Sequence, residues 1–158
     1  MDLPANEFLS DIAGWQRMLD RHAELFTELA PGSRIGLLAR EVTGFAPGRQ
    51  PVGWREARFG TDGAILLVWE AAYGRMLARN ERIGRFADAR ADFLLLADGQ
   101  SLAEAHAALE TDALARLKRR IRRGDTMLCM FRTRAELVDA GYEDFLDSLG
   151  LAFMGACR

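Results

Sequence analysis

Cysteine, lysine and long apolar runs are scarce in this sequence. Its two cysteines, Cys129 and Cys157, have neither the Cys-x-x-Cys nor the zinc-type spacing, so we predict no disulfide framework and no metal site. The longest uninterrupted apolar run, residues 64–69, is far too short to span a bilayer. The opening MDLPANEF lacks the basic segment followed by an apolar stretch that marks a secretory signal. We therefore expect a cytoplasmic protein without a membrane partner.

Length and composition are typical of one globular domain. A chain of 158 residues can bury roughly 70% of its unfolded surface without disulfides or a structural metal. Hydrophobic residues make up 49% and charged residues 28%, which excludes wholesale disorder and a membrane protein. No internal repeat, low-complexity tract or long linker divides the chain. We predict a single domain over residues 1–158.

Positive charge comes almost entirely from arginine, because Lys118 is the only lysine among 21 basic residues. The arginines are spread along the whole chain, which indicates a composition bias more than selection for bidentate anion contacts. A net charge of -2 argues against nonspecific polyanion binding by the whole surface. Any anion site would have to be local.

An amphipathic helix is predicted over residues 6–30, where apolar residues recur at spacings of three and four and Pro31-Gly32 ends the pattern. Residues 33–43 are ambiguous. Residues 44–53 contain two prolines and three glycines and are predicted to form a loop.

A hairpin is predicted from residues 52–59 and 64–69, joined by the turn sequence Gly-Thr-Asp-Gly at 60–63. Residues 70–86 are then predicted to be helical. The alternative is one long helix over residues 64–86, because helical spacing also fits Ile65, Trp69, Ala72 and Met76.

The second half of the chain predicts a strand, a helix and another strand. Residues 93–97 and 126–131 are apolar and typical of buried strands. Between them, Ser101 and Glu104 have capping-box spacing at a helix start, and Gly124 stands where a helix would end. Two parallel strands here would cross over right-handed.

A second capping box, Thr133 with Glu136, predicts a final helix with Gly141 or Gly150 as its end. Its apolar face comprises Val138, Tyr142, Phe145 and Leu149. Residues 151–158 are an edge strand or a docked end. The fold class is therefore α+β, with the N-terminal amphipathic helix and further helices packed on a mixed sheet. The alternative fold is mostly α.

The densest basic cluster lies near the end of the central helix. Between residues 116 and 134 eight positive residues accompany a single acidic one, Asp125. The outward-facing members are Lys118, Arg119, Arg122 and Arg123. They could bind nucleic-acid phosphates or an acidic protein. The alternative is structural, because basic residues at a helix end interact favourably with its dipole.

A second arginine row, Arg75, Arg79 and Arg82, would share one helical face if residues 70–86 are helical. Brought together, the two rows could hold a phosphorylated or carboxylated ligand through bidentate contacts. The alternative is a solvated face that Glu81 partly neutralises.

Other polar features give weaker indications. The loop at residues 97–101 precedes a helix, where backbone N–H groups can receive an anion, but it lacks a glycine-rich phosphate motif. His22 and His106 lack the partners of a zinc site. Cys129 is predicted to be a buried structural thiol. The acidic residues Asp139, Glu143, Asp144 and Asp147 are predicted to face water.

Three functions remain open, and no cofactor is predicted. The first is a non-catalytic binding or regulatory protein that associates with itself or with a protein partner, for which Trp15, Trp54 and Trp69 could be core or interface anchors. The second is an anionic small-ligand domain or small enzyme with an arginine-lined pocket. The third, least favoured, is nucleic-acid binding through residues 116–123.

Overall fold

A five-stranded mixed sheet forms the centre of the computed structural model, which describes residues 5–46 and 50–151. Its strands are β1 (Arg34–Ala39), β2 (Ala64–Ala72), β3 (Arg75–Ile83), β4 (Phe93–Ala97) and β5 (Thr126–Met130). Their order across the sheet is β3-β2-β1-β4-β5. The β1–β4 pair is parallel, and the other three neighbouring pairs are antiparallel.

The helices of the described residues are α1 (Ala5–Leu9), α2 (Ile12–Arg21), α3 (Gly99–Ala107), α4 (Ala113–Arg123), α5 (Arg134–Asp139) and α6 (Glu143–Ser148). They pack with the sheet, so the predicted α+β class is confirmed and the mostly α alternative is wrong. Within residues 5–46 and 50–151, none of these helices combines the length and hydropathy needed to cross a bilayer.

Each face of the sheet has its own core. Leu37, Trp69 and Leu95 pack with the helices on one face, whereas Leu66 and Leu94 pack under the loops on the other. Successive strand residues point to opposite faces, so a strand covered on both sides is apolar throughout. This explains the uniform burial of β4 and the ambiguous pattern of residues 33–43, which hold β1.

The hairpin is formed by β2 and β3, so the prediction of a hairpin from residues 52–59 and 64–69 is wrong. The two strands pair from Ala72 and Arg75 at the turn to Ala64 and Ile83 at the open end. Residues 52–59 instead contain a 3-10 turn at Trp54–Glu56 and an isolated bridge between Arg58 and Arg85.

The helix predicted over residues 70–86 and the long helix over 64–86 are both wrong. Tyr73 and Gly74 have φ angles of 53° and 76°, and two consecutive left-handed residues form a tight hairpin turn and cannot continue a right-handed helix. Beyond the turn, Met76 and Ala78 are buried while the residues beside them are more exposed. This alternation of period two is that of a strand.

The helix predicted over residues 6–30 is divided into α1, α2 and a 3-10 turn at Ala23–Phe26. The break occurs where the Asp11 side chain accepts a hydrogen bond from the Gly14 N–H at 3.1 Å. Across it, Trp15 Nε1 donates to the Phe8 carbonyl at 2.8 Å. Short polar side chains favour helix starts for this reason, and the break allows both helices to pack on the sheet.

Two helices, α3 and α4, connect β4 to β5 where the sequence predicts one. Asp98, rather than Ser101, caps α3 by accepting from the Ser101 N–H at 2.8 Å, so the Ser101 capping box is wrong. Gly124 ends α4 with φ 84°, as predicted. The strands at 93–97 and 126–131 are confirmed, with β5 ending at Met130 and pairing antiparallel to β4.

The Thr133 capping box is confirmed: its hydroxyl accepts from the Glu136 N–H at 3.1 Å and its N–H donates to the Glu136 carboxylate at 2.9 Å. The helix that it begins stops at Gly141, whose Cα lies against the Glu28 carbonyl so closely that no Cβ would fit. Tyr142, Phe145 and Leu149 of the predicted apolar face are buried, whereas Val138 is exposed, so the prediction is wrong for that residue. Residues 152–158, including Cys157, lie outside the described residues.

Candidate functional site

The two arginine rows proposed from the sequence lie at opposite edges of the sheet. Arg75, Arg79 and Arg82 are on β3, the first strand in the sheet order. Helix α4, which carries Lys118, Arg119, Arg122 and Arg123, packs beside β5, the last strand. Three strands lie between, so the edges are roughly 19 Å apart at about 4.8 Å per strand. The two rows do not form one pocket.

The β3 row has partners within the chain. Arg75 pairs with Asp20 at 3.1 Å, and Arg79 pairs with Glu70 at 2.7 Å and with Glu81 at 2.9 Å. Arg82 donates to the Asp62 carbonyl at 2.6 Å and has no carboxylate partner among the described residues. Of the three, Arg82 is therefore the one whose positive charge no described carboxylate neutralises.

The α4 row is partly neutralised by acidic side chains of the same chain. Arg119 lies 3.8 Å from Glu104, and Arg123 lies 3.4 Å from Asp125. The Lys118 stem lies beside Gly150. Arg122 is exposed and makes no ion pair with any described residue. The basic helix end therefore retains some net positive charge, and none of these four residues lines either of the two clefts described below.

Two N–H groups at the start of α3 already donate hydrogen bonds to carboxylates of the chain. Gly99 N–H donates to the Glu41 carboxylate at 2.9 Å, and Ser101 N–H donates to Asp98 at 2.8 Å. These carboxylates occupy the positions that an external anion would take at a helix start. The loop is a capped helix start.

The two histidines lie apart. His106 Nε2 is 2.9 Å from Asp11 Oδ2, and this hydrogen bond lowers the pKa of Asp11. His22 is half-buried in the turn that follows α2. Within residues 5–46 and 50–151, no three His, Cys, Asp or Glu side chains cluster as metal ligands would.

Cys129 is fully buried on β5, which confirms the prediction of a structural thiol. Burial raises its pKa to about 12. A nucleophilic cysteine needs a lowered pKa and an accessible sulfur, so Cys129 is not a catalytic group.

The acidic row of the last two helices is exposed, as predicted, and it comprises Asp139, Glu143, Asp144 and Asp147. A general acid and base pair needs carboxylates that burial places in different environments, whereas these four side chains are all exposed. The row is a solvated surface.

Five other arginines converge on an open cleft of about 630 Å³. We call it the arginine cleft. It lies over the loop-covered face of the sheet, between residues 55–58, residues 85–91 and the chain after β5. Its lining comprises Arg55, Glu56, Arg58, Arg85, Ala87, Arg90, Ala91, Phe131 and Arg132. The lining thus contains five arginines and one acidic residue, Glu56.

The cleft arginines differ in their internal partners. Arg85 lies 3.4 Å from Asp88, and Arg132 lies 3.3 Å from Asp92. Arg55 donates to the Met130 carbonyl and stacks over Trp54 at 4.9 Å. The side chains of Arg58 and Arg90 have no hydrogen bond or ion pair with any residue in the described part of the chain. Both are exposed to solvent within the cleft.

A cluster of aromatic rings holds the loops of the cleft in place. Phe86 is fully buried, and its ring contacts those of Phe45, Trp54 and Phe59 at 5.0–5.4 Å. Trp54 in turn packs edge-on against Phe131, 5.2 Å away. Aromatic pairs of this geometry contribute about 0.5–1.5 kcal/mol each beyond their burial. The backbone segments that carry the cleft arginines are therefore held in place by this packing.

Arg90 adopts a left-handed backbone, with φ 50°. This conformation costs a residue with a Cβ roughly 1–2 kcal/mol, and glycine or asparagine takes it more readily. The neighbouring Ala89 carbonyl accepts a hydrogen bond from Arg34 at 2.8 Å. This hydrogen bond anchors the backbone next to Arg90. An arginine therefore occupies a position where glycine would be less strained.

A second, smaller cleft of about 420 Å³ adjoins the first and shares Arg90. Its wall is an ion-pair network in which Arg34 binds Glu70 at 2.9 Å and Glu81 at 2.8 Å. The hydrogen bond from Arg79 lowers the pKa of Glu70, and that from Arg34 lowers the pKa of Glu81. Arg82 also lines this cleft.

Sequence reasoning missed the arginine cleft, although the sequence carries a signal for it. Four of the five arginines are adjacent to an aromatic residue, in the pairs Trp54-Arg55, Arg58-Phe59, Arg85-Phe86 and Phe131-Arg132. Each pair combines a packing group with an outward cation. Their convergence depends on contacts between segments far apart in the chain.

No protein-family model matches the chain, and no curated protein is significantly similar to it. A solved structure that matches is that of a conserved hypothetical protein from Thermus thermophilus, described as "possibly sterol carrier protein". The identity is 19%, the TM-score is 0.45, and the match covers 98% of this chain and 90% of that one.

Proposed function

We propose that the protein binds an anionic ligand in the arginine cleft. The observation that carries the proposal is the position of Arg58 and Arg90, two guanidinium groups without an internal carboxylate partner among the described residues, in a cleft that holds three more arginines. Like charges held together repel one another, and a bound anion relieves that repulsion. The volume is within the usual range for ligand sites.

The left-handed backbone of Arg90 supports the same function. Residues in strained conformations occur preferentially at ligand sites, where the side chain is needed despite its cost. The remaining lining, which includes Ala87, Ala91 and Phe131, adds an apolar wall. Apolar walls with a few convergent polar groups are characteristic of sites for small organic ligands.

Thermal unfolding at about 50 mM salt, where electrostatic screening is modest, tests the proposal with inorganic phosphate, sulfate and citrate as probes. An anion at 100 times its Kd stabilises the folded protein by about 2.7 kcal/mol. We expect at least one probe to raise the melting temperature, and Arg58→Gln to reduce that increase.

The substitution Arg90→Gly distinguishes a loss of anion binding from a loss of folding stability. This substitution removes a cation and also relieves the left-handed strain, so the free energy of unfolding should stay within about 1 kcal/mol of the parent value while anion stabilisation declines. Arg122→Gln is the matched control, since it removes the same charge from exposed α4. No stabilisation by any probe, or equal loss in all three variants, would refute an anion site in this cleft.

Self-association or binding of a partner protein, the first hypothesis from the sequence, stays a prediction. One route to it is hindered: Gln16 donates to the Met76 carbonyl and accepts from the Ala78 N–H, both at 2.8 Å. These are groups that a second chain would need in order to add a strand to β3. Light scattering after size exclusion tests this hypothesis, and a gel shift tests nucleic-acid binding by α4.

A further inference from the structure

We propose, building on the proposed anion site, that its ligand contains two or more linked phosphate groups. The phosphate chain runs from the arginine cleft past Arg90 into the second cleft, where Arg82 binds its far end. Arg90 carries this inference because it lines both clefts.

Charge density favours phosphate over carboxylate. A carboxylate supplies one negative charge, whereas a terminal phosphate supplies about 1.5–2 charges and three acceptor oxygens. Linked phosphates can therefore balance several arginines within about 630 Å³. The planar guanidinium fork also binds phosphate oxygens in pairs.

The second cleft restricts where the chain can end. Arg34 and Arg79 are already paired with Glu70 and Glu81, and the carboxylates of Glu81 and Asp88 line the same space. An anion that entered deeply would meet these acids. Arg82 donates to a backbone carbonyl and has no carboxylate partner among the described residues. Because Arg82 and Arg90 both line this cleft, the space that they border is the favourable position for the far end of the phosphate chain.

Linked phosphates have two sources, free polyphosphate and a nucleoside polyphosphate. The half-buried Phe131 lines the arginine cleft and could contact a base, since aromatic side chains stack on bases. The two sources share the phosphate chemistry and differ in their dependence on Phe131.

Isothermal titration calorimetry at about 50 mM salt with orthophosphate, pyrophosphate, tripolyphosphate, ATP and citrate tests the inference. We expect affinity to rise at least tenfold from orthophosphate to tripolyphosphate, and citrate to bind more weakly than tripolyphosphate. Arg82→Gln should reduce tripolyphosphate affinity about tenfold and orthophosphate affinity less than twofold. Arg122→Gln, the charge-matched control, should change neither.

Equal affinities for the three phosphates, or no effect of Arg82→Gln on tripolyphosphate, would overturn this inference. If orthophosphate binding still required Arg58 and Arg90, the proposed function would stand without it. Binding of no anion would refute both. ATP that binds more tightly than tripolyphosphate, with the difference abolished by Phe131→Ala, identifies a nucleotide; equal affinities identify free polyphosphate.

Discussion

Tyr142 donates its hydroxyl hydrogen to Asp92 over 2.5 Å, and the other oxygen of Asp92 lies 3.3 Å from Arg132 of the arginine cleft. The same carboxylate accepts the Arg34 backbone N–H at 3.1 Å. One half-buried acid therefore joins the start of α6, the central sheet and a cation of the proposed ligand site.

Tyr142→Phe should destabilise the protein by about 1.5–3 kcal/mol, the range for a hydrogen bond to a charged group, because Asp92 loses a buried donor. Tyr73→Phe is the matched control, since Tyr73 is fully exposed at the hairpin turn and should change stability by less than about 0.5 kcal/mol. Urea unfolding near neutral pH measures both. Equal effects of the two substitutions would contradict this role for Asp92.

Tyr142 should also make stability depend on alkaline pH. Burial, and then the hydrogen bond to Asp92, raise its pKa above the usual 10.0. The unfolded chain therefore loses this proton first, so the contribution is complete below pH 10 and is lost above it, by about 1.4 kcal/mol per pH unit. Above about pH 10, the parent should lose stability more steeply than Tyr142→Phe, by about this slope, because the buried Cys129 thiol adds its own alkaline loss to both proteins.

Replacing Arg34 should cost far more than replacing Arg75. Arg34 is only 14% exposed and binds Glu70 and Glu81, so Arg34→Gln should lose about 1.5–3 kcal/mol, the range for hydrogen bonds to charged groups, while Arg79 keeps both carboxylates paired. Arg75 forms an exposed pair with Asp20, and such pairs contribute little to stability, so Arg75→Gln should leave the urea unfolding midpoint nearly unchanged.

Acid titration provides an independent check on Arg34. The lowered pKa of Glu81 means that its contribution is present above pH 4.5 and is lost as the pH falls through its folded value. Arg34→Gln should weaken this acid dependence. If the free energy of unfolding depended on acid pH equally in the parent and in Arg34→Gln, the pairing of Arg34 with Glu81 would contribute little to stability.

Cys129 should be unreactive in the folded protein. A rise in pKa from 9.0 to about 12 leaves about 1000-fold less thiolate at pH 8, in addition to the steric protection of burial. In a Cys157→Ser background, Ellman's reagent should label the chain quickly in denaturant and very slowly without it. Rapid labelling of the folded chain would contradict the buried position on β5.

Gln16→Ala should make the protein prone to self-association. Without the Gln16 amide, the Met76 carbonyl and the Ala78 N–H lose partners on a strand edge, and an open edge can pair with another chain. Size exclusion with light scattering should detect a concentration-dependent increase in mass. Asp20→Asn, which alters a neighbouring exposed pair on the same helix, should leave the mass unchanged.

Patterns of neighbouring residues predicted the helix ends and the strand whose conformation depends on those neighbours. The capping box at Thr133, the left-handed stop at Gly124 and the apolar strand at 93–97 all follow from neighbouring residues. The hairpin was misplaced because Gly-Thr-Asp-Gly at 60–63 is a stronger turn signal than Tyr73-Gly74, where a tyrosine adopts the left-handed conformation.

The arginine cleft could not be predicted from patterns of neighbouring residues in the sequence. Arg58 and Arg90 are 32 positions apart, and they line one cleft in a part of the fold where Phe59, next to Arg58, packs against Phe86. The predicted rows on β3 and α4 had correct chemistry for an anion site, but a strand and a helix at opposite sheet edges could not bring them together.

The cleft arginines share one face of a molecule whose net charge is -2, so the rest of the surface must carry a larger excess of negative charge. If the cleft binds an anion, as we propose, the local positive potential of its arginines would attract that anion before contact. The molecule should also adsorb to anion-exchange and cation-exchange resins alike near neutral pH, in opposite orientations.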